Sequence, residues 1–212
     1  MVYGLSGLTV KQFQDRVGGF NPGYAKDWNV WLARNNDNEQ QLFIHTMRNW
    51  KACRPAGIRL NVPNELHERP FLSDILAVAE PLANGLKDFD IKTCCETSSF
   101  RAKLAELWES LKCICYNTGD GLRYNTSVVP ISKAALLLTE GAVGPAFDSV
   151  VRDNLGIAKI ISPEQWINVI CLVSCDIKEF ERRNKVKIED VVPDQFKKLK
   201  VGRLYDMALG PR

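Results

Sequence analysis

Two side chains in the stretch from Val129 to Gly156 (VPISKAALLLTEGAVGPAFDSVVRDNLG) have the types and placing to do chemistry together: Lys133 and Asp148. Asp148 precedes the short helical run Ser149 to Leu155, where an aspartate is expected as the N-cap. The dipole and the free N–H groups of a helix start favour a charged carboxylate. Beyond capping, such a group can stabilise a developing cation or orient a water. Gly144-Pro145-Ala146-Phe147 leads up to it with small residues that leave room for a ligand, and Arg152 follows on the same run.

Lys133 follows Ser132, and these two residues read as the opening of an apolar helix. A solvated lysine is the plain reading. A cation is disfavoured at a helix N-terminus, however, so the position points to a phosphate or carboxylate partner. The backbone N–H groups of Ile131, Ser132, Lys133 and Ala134 are the matching anion cradle at that helix mouth.

Other reactive side chains make weaker patterns. The pairs Cys94-Cys95, Cys113-x-Cys115 and Cys171-x-x-x-Cys175 lack the Cys-x-x-Cys spacing of a zinc ribbon, so no metal site is expected. Cys113 and Cys171 fall in apolar helical runs and read as buried thiols. His45 and His67 are the only histidines, and no Ser-His-Asp set has a recognisable context. Trp28, Trp31 and Trp50 recur beside Leu and Phe at helical spacing and read as core. Lys197, Lys198, Lys200 and Arg203 read as a solvated helix face, with DNA-backbone contact as the second reading.

The elements that must position these groups are helices. Thr9 and Gln12 form a capping-box pattern ahead of a helix over 10–17. Asn21-Pro22-Gly23 reads as a turn, with helices over 24–34, 39–53 and 71–83 behind it. Ser98 or Ser99 caps a run over 100–116 in which Leu104, Leu107, Trp108 and Leu111 repeat at helical spacing, the expected central helix. The polar loop NTGDGLRYNTS (117–127) leads into the Lys133 segment. Ser162-Pro163-Glu164-Gln165 starts a helix towards Arg183, and Pro193 starts a last one. No alternating strand run stands out, so the fold class is all-α, with about ten helices and short connections.

A chain of 212 residues, 45% hydrophobic and 25% charged, buries an ordinary core. We read it as one compact all-helical domain over 1–212, divisible into two lobes: about 1–97 plus the C-terminal part, and 98–161. A net charge of +3 permits nucleic-acid binding through a local patch without demanding it. No apolar run reaches the length of a membrane span, and the opening MVYGLSGLTV lacks the marks of a signal peptide. Seven cysteines without an export signal are expected as reduced thiols in a cytoplasmic protein.

The central stretch resembles the helix–hairpin–helix DNA glycosylases. Their pattern is a hairpin, a lysine opening an apolar helix, a Gly/Pro loop, then an aspartate followed by an arginine. The matching residues are Lys133-Ala134-Ala135-Leu136-Leu137-Leu138, then Gly144-Pro145-Ala146-Phe147-Asp148-Ser149-Val150-Val151-Arg152 and Leu155-Gly156. The hairpin itself, Val128-Val129-Pro130-Ile131-Ser132, carries no glycine, and the lysine-to-aspartate segment is a few residues shorter than in the family. The four-cysteine iron–sulfur loop of some members is absent.

The resemblance implies a two-lobed helical bundle with a central cleft, and base flipping from double-stranded DNA. Asp148 would stabilise the cation left on the sugar and guide water to it, much as carboxylates do in glycoside hydrolysis. Lys133 aligns with the lysine that attacks the sugar in bifunctional members, or touches phosphate in a simple hydrolase. Ile131, Ser132, Lys133 and Arg152 would contact DNA. Arg123 and Tyr124, in the polar loop, would supply the wedge that fills the gap left by the flipped base. The expected enzyme is monofunctional and monomeric, needs no soluble cofactor, and removes a damaged base or a modified base of foreign DNA. A helical DNA-binding or interaction protein without catalysis is the alternative.

Overall fold

The computed structural model describes residues 4–52, 72–93, 97–112, 114, 116–117, 123–124 and 127–212. Among them are ten α-helices: α1 (Val10–Gly18), α2 (Pro22–Leu32), α3 (Glu39–Asn49), α4 (Leu72–Asn84), α5 (Ser98–Leu111), α6 (Val128–Leu138), α7 (Ser149–Leu155), α8 (Pro163–Asn184), α9 (Ile188–Val191) and α10 (Val201–Leu209). Two 3-10 turns, Leu5–Gly7 and Asp194–Phe196, complete the helical part. The only extended pairing among the described residues is a two-residue antiparallel ladder, β1 (Tyr116–Asn117) with β2 (Arg123–Tyr124). The protein is all-α. No helix among the described residues is long and apolar enough to cross a membrane.

Local capping explains several helix starts. The Thr9 hydroxyl accepts from the Gln12 N–H while the Gln12 side chain accepts from the Thr9 N–H. Ser162 caps α8 by accepting from Gln165 N at 3.2 Å, with Pro163 at the first helical position. Asn21 caps α2 in the same way, its side chain accepting from Gly23 N and Tyr24 N. Asn21-Pro22-Gly23 is therefore a helix start and not a free turn.

Helix α6 is the axis of the molecule. Every residue from Pro130 to Leu138 is buried, and the helix packs on α3, α4 and α5. This corrects the expectation that the run after Phe100 is central. Helix α5 keeps a one-sided apolar stripe (Leu104, Leu107, Trp108, Leu111), whereas α6 is buried on all sides and apolar apart from Ser132 and Lys133, the mark of an enclosed helix. A second correction concerns its start. Ser127 caps α6 by accepting from Val129 N, and the helix begins at Val128. Residues 128–132 are thus helix, not hairpin. Pro130 fits because a proline in the first turn has no N–H that the helix would otherwise need.

The C-terminal segment differs from a continuous Pro193 helix. After the 3-10 turn the chain restarts as α10, which packs on α1 and α7. Lys197 lies in the intervening turn, paired to Asp194 at 2.6 Å. Arg203 is not on a solvated face: only 1% of it is exposed. The first turn of α10 lies directly on the Gly141–Gly144 turn. A Cβ on Gly202 would stand 2.7 Å from Gly141 O and 2.8 Å from Ala142 O, both rigid backbone atoms. Gly202→Ala is expected to destabilise the fold by about 1–3 kcal/mol through this overpacking, read as a lower urea midpoint at unchanged slope.

Asp176 on α8 ties the chain start to α10. Its carboxylate accepts from Leu5 N at 2.6 Å, Ser6 N at 3.0 Å and the Tyr205 hydroxyl at 2.6 Å. Burial, reinforced by the charge of Asp176, pushes the Tyr205 phenol well above the ordinary tyrosine value. The folded protein therefore keeps a proton that the unfolded chain releases near pH ~10. Stability from this group is complete below that pH and drains away above it. Tyr205→Phe should cost about 1–2 kcal/mol at neutral pH and flatten the alkaline decline, as seen in urea midpoints on either side of pH ~10.

Candidate active site

The structure brings Lys133 and Asp148 together. Lys133 is on the second turn of α6, and Asp148 caps α7 by accepting from Val151 N at 3.1 Å through Oδ1. The other carboxylate oxygen, Oδ2, stands 3.6 Å from Lys133 Nζ. The pair is enclosed, with side chains 4% and 14% exposed. Lys133 Nζ also donates to the Trp50 carbonyl, at the C-terminal end of α3. The Tyr24 ring of α2 lies 5.7 Å from the same ammonium.

Between the two residues the backbone is clamped. Ser132 Oγ accepts from Phe147 N at 2.8 Å and donates to Val129 O. Asp206 Oδ1 accepts from Ala146 N at 3.0 Å. The approach to Asp148 is thus fixed by α6 on one side and α10 on the other. Asp206 Oδ2 takes Arg203 Nη1 at 2.5 Å, and the guanidinium is packed against Phe20, Trp28 and Trp50 at 4.6–5.1 Å from their ring centroids. Trp28 and Trp50 stack nearly parallel, 6.2 Å apart. The tryptophans are core, as their spacing indicates: Trp28, Trp31 and Trp50 are all buried.

The charges respond to this enclosure. Burial pushes the Lys133 ammonium below the ordinary lysine value, against the pull of Asp148 and Asp206. Burial raises Asp206 from the ordinary aspartate value, and Asp148 adds to that rise while Arg203 opposes it. The guanidinium of Arg203 keeps its proton in any protein setting, so it is the fixed charge of that pair. Tyr24 is half-buried, and its phenol is raised by burial and by the charges of Asp148, Asp206 and Asp27, so it stays a donor. Three N–H donors of this cluster, Trp28 Nε1, Trp50 Nε1 and Arg203 Nε, are buried with no partner among the described residues.

The other anticipated residues fall as follows. Ile131 and Ser132 are 0% and 1% exposed. With α6 starting at Val128, the N–H groups of Ser132 to Ala134 lie past the first turn and belong to the helix ladder. The expected anion cradle at Ile131–Ala134 is therefore corrected: that backbone is buried, and Ser132 serves the Phe147 N–H instead. Lys133 is likewise no first-turn surface lysine. Arg152, one turn beyond Asp148, is half-buried, and its Nε has no partner among the described residues. Arg123 and Tyr124 pair with Asn117 and Tyr116 through the backbone. Cys171 is half-buried, accepting from Arg101 Nη1 at 3.5 Å, so it is not a core thiol, and Cys175 is exposed. His67, Cys53, Cys94, Cys95, Cys113 and Cys115 lie outside the described residues.

Tyr24, Arg203 and Asp206 are the site residues that sequence reasoning missed. Arg203 and Asp206 did carry a signal, two opposite charges three apart in the otherwise apolar run Val201 to Leu209. A separate cleft of about 240 Å³ opens between Asp88–Ile91 and the start of α10 at Lys200–Gly202, and neither Lys133 nor Asp148 lines it. No group of three or more His, Cys, Asp or Glu side chains suited to a metal ion occurs among the described residues. Compared with family models, with curated proteins and with solved structures, the chain matches none.

Proposed function

We propose that this chain is a DNA glycosylase of helix–hairpin–helix type, divergent in its hairpin, that removes a damaged or modified base from double-stranded DNA. One observation carries the reading: Lys133 Nζ lies 3.6 Å from Asp148 Oδ2 although the two residues come from different helices. The resemblance in sequence had pointed to the same two residues. Three N–H donors of the adjoining aromatic cluster, Trp28 Nε1, Trp50 Nε1 and Arg203 Nε, also have no partner among the described residues.

In this reading the target nucleotide leaves the stack and its sugar meets Asp148. Oδ1 is held by the α7 N-terminus, so Oδ2 faces the reaction. As the C1′–N bond breaks, its electron pair leaves with the base, which picks up a proton. The carboxylate stabilises the cationic sugar and accepts a proton from the water that adds to C1′. The products are the free base and an abasic site. In this reading Lys133 holds Asp148 in place, is itself held by the Trp50 carbonyl, and the enzyme acts as a simple hydrolase. The half-buried Tyr24 ring offers the flipped base a surface to stack on. Arg123, Tyr124 and Arg152 remain the proposed DNA contacts. The protein acts as a cytoplasmic monomer without a soluble cofactor, in repair or against modified phage DNA.

The test is incubation with undamaged, alkylated, deaminated and oxidised duplexes and with base-modified phage DNA, followed by hot alkali. Strand breaks on one of these support the glycosylase. A second reading rests on the enclosure of the pair, 4% and 14% exposed, which suits a structural ion pair in a non-catalytic DNA-binding or interaction protein. Salt-sensitive binding to every duplex with no alkali-labile site would establish it.

A further inference from the structure

Beside the buried pair stands a lysine that stability alone does not favour. Helix α3 ends in a tight reversal: Lys51 N donates to Arg48 O and Ala52 N to Met47 O, both at 2.9 Å. Lys51 takes the left-handed position of this motif, at φ 52°. Glycine is the residue that position favours, because a side chain there crowds the backbone.

Three described residues other than glycine share this conformation: Lys51, Glu140 and Lys185. Glu140 is explained by its ion pairs with Lys87 at 2.8 Å and Arg34 at 3.3 Å. Lys185 ends α8 and is exposed there, where the helix C-terminus favours a cation. Lys51 has the same benefit from α3 but a further penalty. Its neighbour in the chain, Trp50, offers the carbonyl that holds the Lys133 ammonium, so the backbone of Lys51 adjoins the buried pair. The two charges repel, and that of Lys51 bears on Lys133 directly. Lys51 is exposed, and its head has no ion pair among the described residues. Backbone strain and like-charge crowding at one residue, beside a candidate site, mark a side chain kept for what it binds.

We propose that Lys51 is the phosphate anchor of the site, its ammonium taking a backbone phosphate of the strand whose sugar faces Asp148. The inference rests on the glycosylase reading and adds to it the group that holds the substrate strand. A phosphate supplies the anion that Lys51 lacks at the surface, while Asp148 serves Lys133 within.

The experiment measures binding of a fluorescein-labelled duplex with a central tetrahydrofuran abasic-site analogue across a salt series. The proteins are wild type, Lys51→Gly, Lys51→Arg and Lys185→Gly. Both glycine variants relieve the same backbone strain and should melt about 2–4 °C higher than wild type. Only Lys51→Gly should bind roughly fivefold more weakly at low salt, with the slope of log affinity against log salt shallower by about 0.9. Lys51→Arg should keep the wild-type slope. If Lys51→Gly melts higher but binds with the wild-type affinity and slope, Lys51 is a helix cap only and this inference fails while the glycosylase reading stands. If wild type does not bind the duplex, both fail.

Discussion

Replacing Asp206 with alanine is expected to lower stability by roughly 3–5 kcal/mol, the range for breaking a buried ion pair from one side. Among the described residues the carboxylate is the only hydrogen-bond partner of the Arg203 guanidinium, which is 1% exposed and walled in by Phe20, Trp28 and Trp50. Without it a charge stays in the core with no anion, and Ala146 N loses its acceptor. Such a loss is a large share of the ~5–15 kcal/mol that holds a domain folded. The same reasoning predicts a recovery. Arg203→Met together with Asp206→Leu removes both charges and should lie well above the single variant, since an apolar pair of similar volume often equals a buried ion pair. Urea unfolding of the three proteins checks this. A single-variant loss below about 1 kcal/mol would mean that the pair is not structural.

Asp148→Asn is expected to abolish base release, by about 10²–10³ in the single-turnover rate, while leaving the fold in place. Asparagine caps a helix about as well as aspartate, so the Val151 N–H keeps an acceptor and the urea midpoint should move little. What disappears is the charge facing Lys133 and the sugar. The ammonium, already lowered by burial, loses a carboxylate that pulled it upwards and falls further. The variant thus separates the two roles of Asp148. A structural cap would survive it, and a catalytic carboxylate would not.

The features legible in the sequence are the ones written locally. Thr9, Ser162 and Asp148 cap their helices because a side-chain oxygen needs only the next three residues to do so. The tryptophans are core because their spacing follows the helix period. Lys133 and Asp148 were found as a pair because a short loop joins their helices. Other features depend on distant partners. Ser132-Lys133 reads as the helix opening behind a hairpin, yet Pro130 sits in the first turn, where proline is tolerated, so α6 starts at Val128 and buries Ile131 and Ser132. Arg203 looked like the end of a basic face because three lysines precede it. Its real neighbours are Phe20, Trp28 and Trp50, from the opposite end of the chain. Tyr24 reaches Lys133 only because α2 and α3 fold back over α6, and nothing near it in the sequence announces this.

The most direct test of the account is the count of alkali-labile sites that wild type and Asp148→Asn leave in DNA carrying damaged or modified bases. Breaks are expected with wild type on at least one such DNA only after alkali, none on undamaged duplex, and none above background with the folded variant. Breaks of equal yield from both proteins would take the chemistry away from Asp148. No breaks from wild type on any of these DNAs would contradict the glycosylase itself and leave the Lys133–Asp148 contact as a structural ion pair.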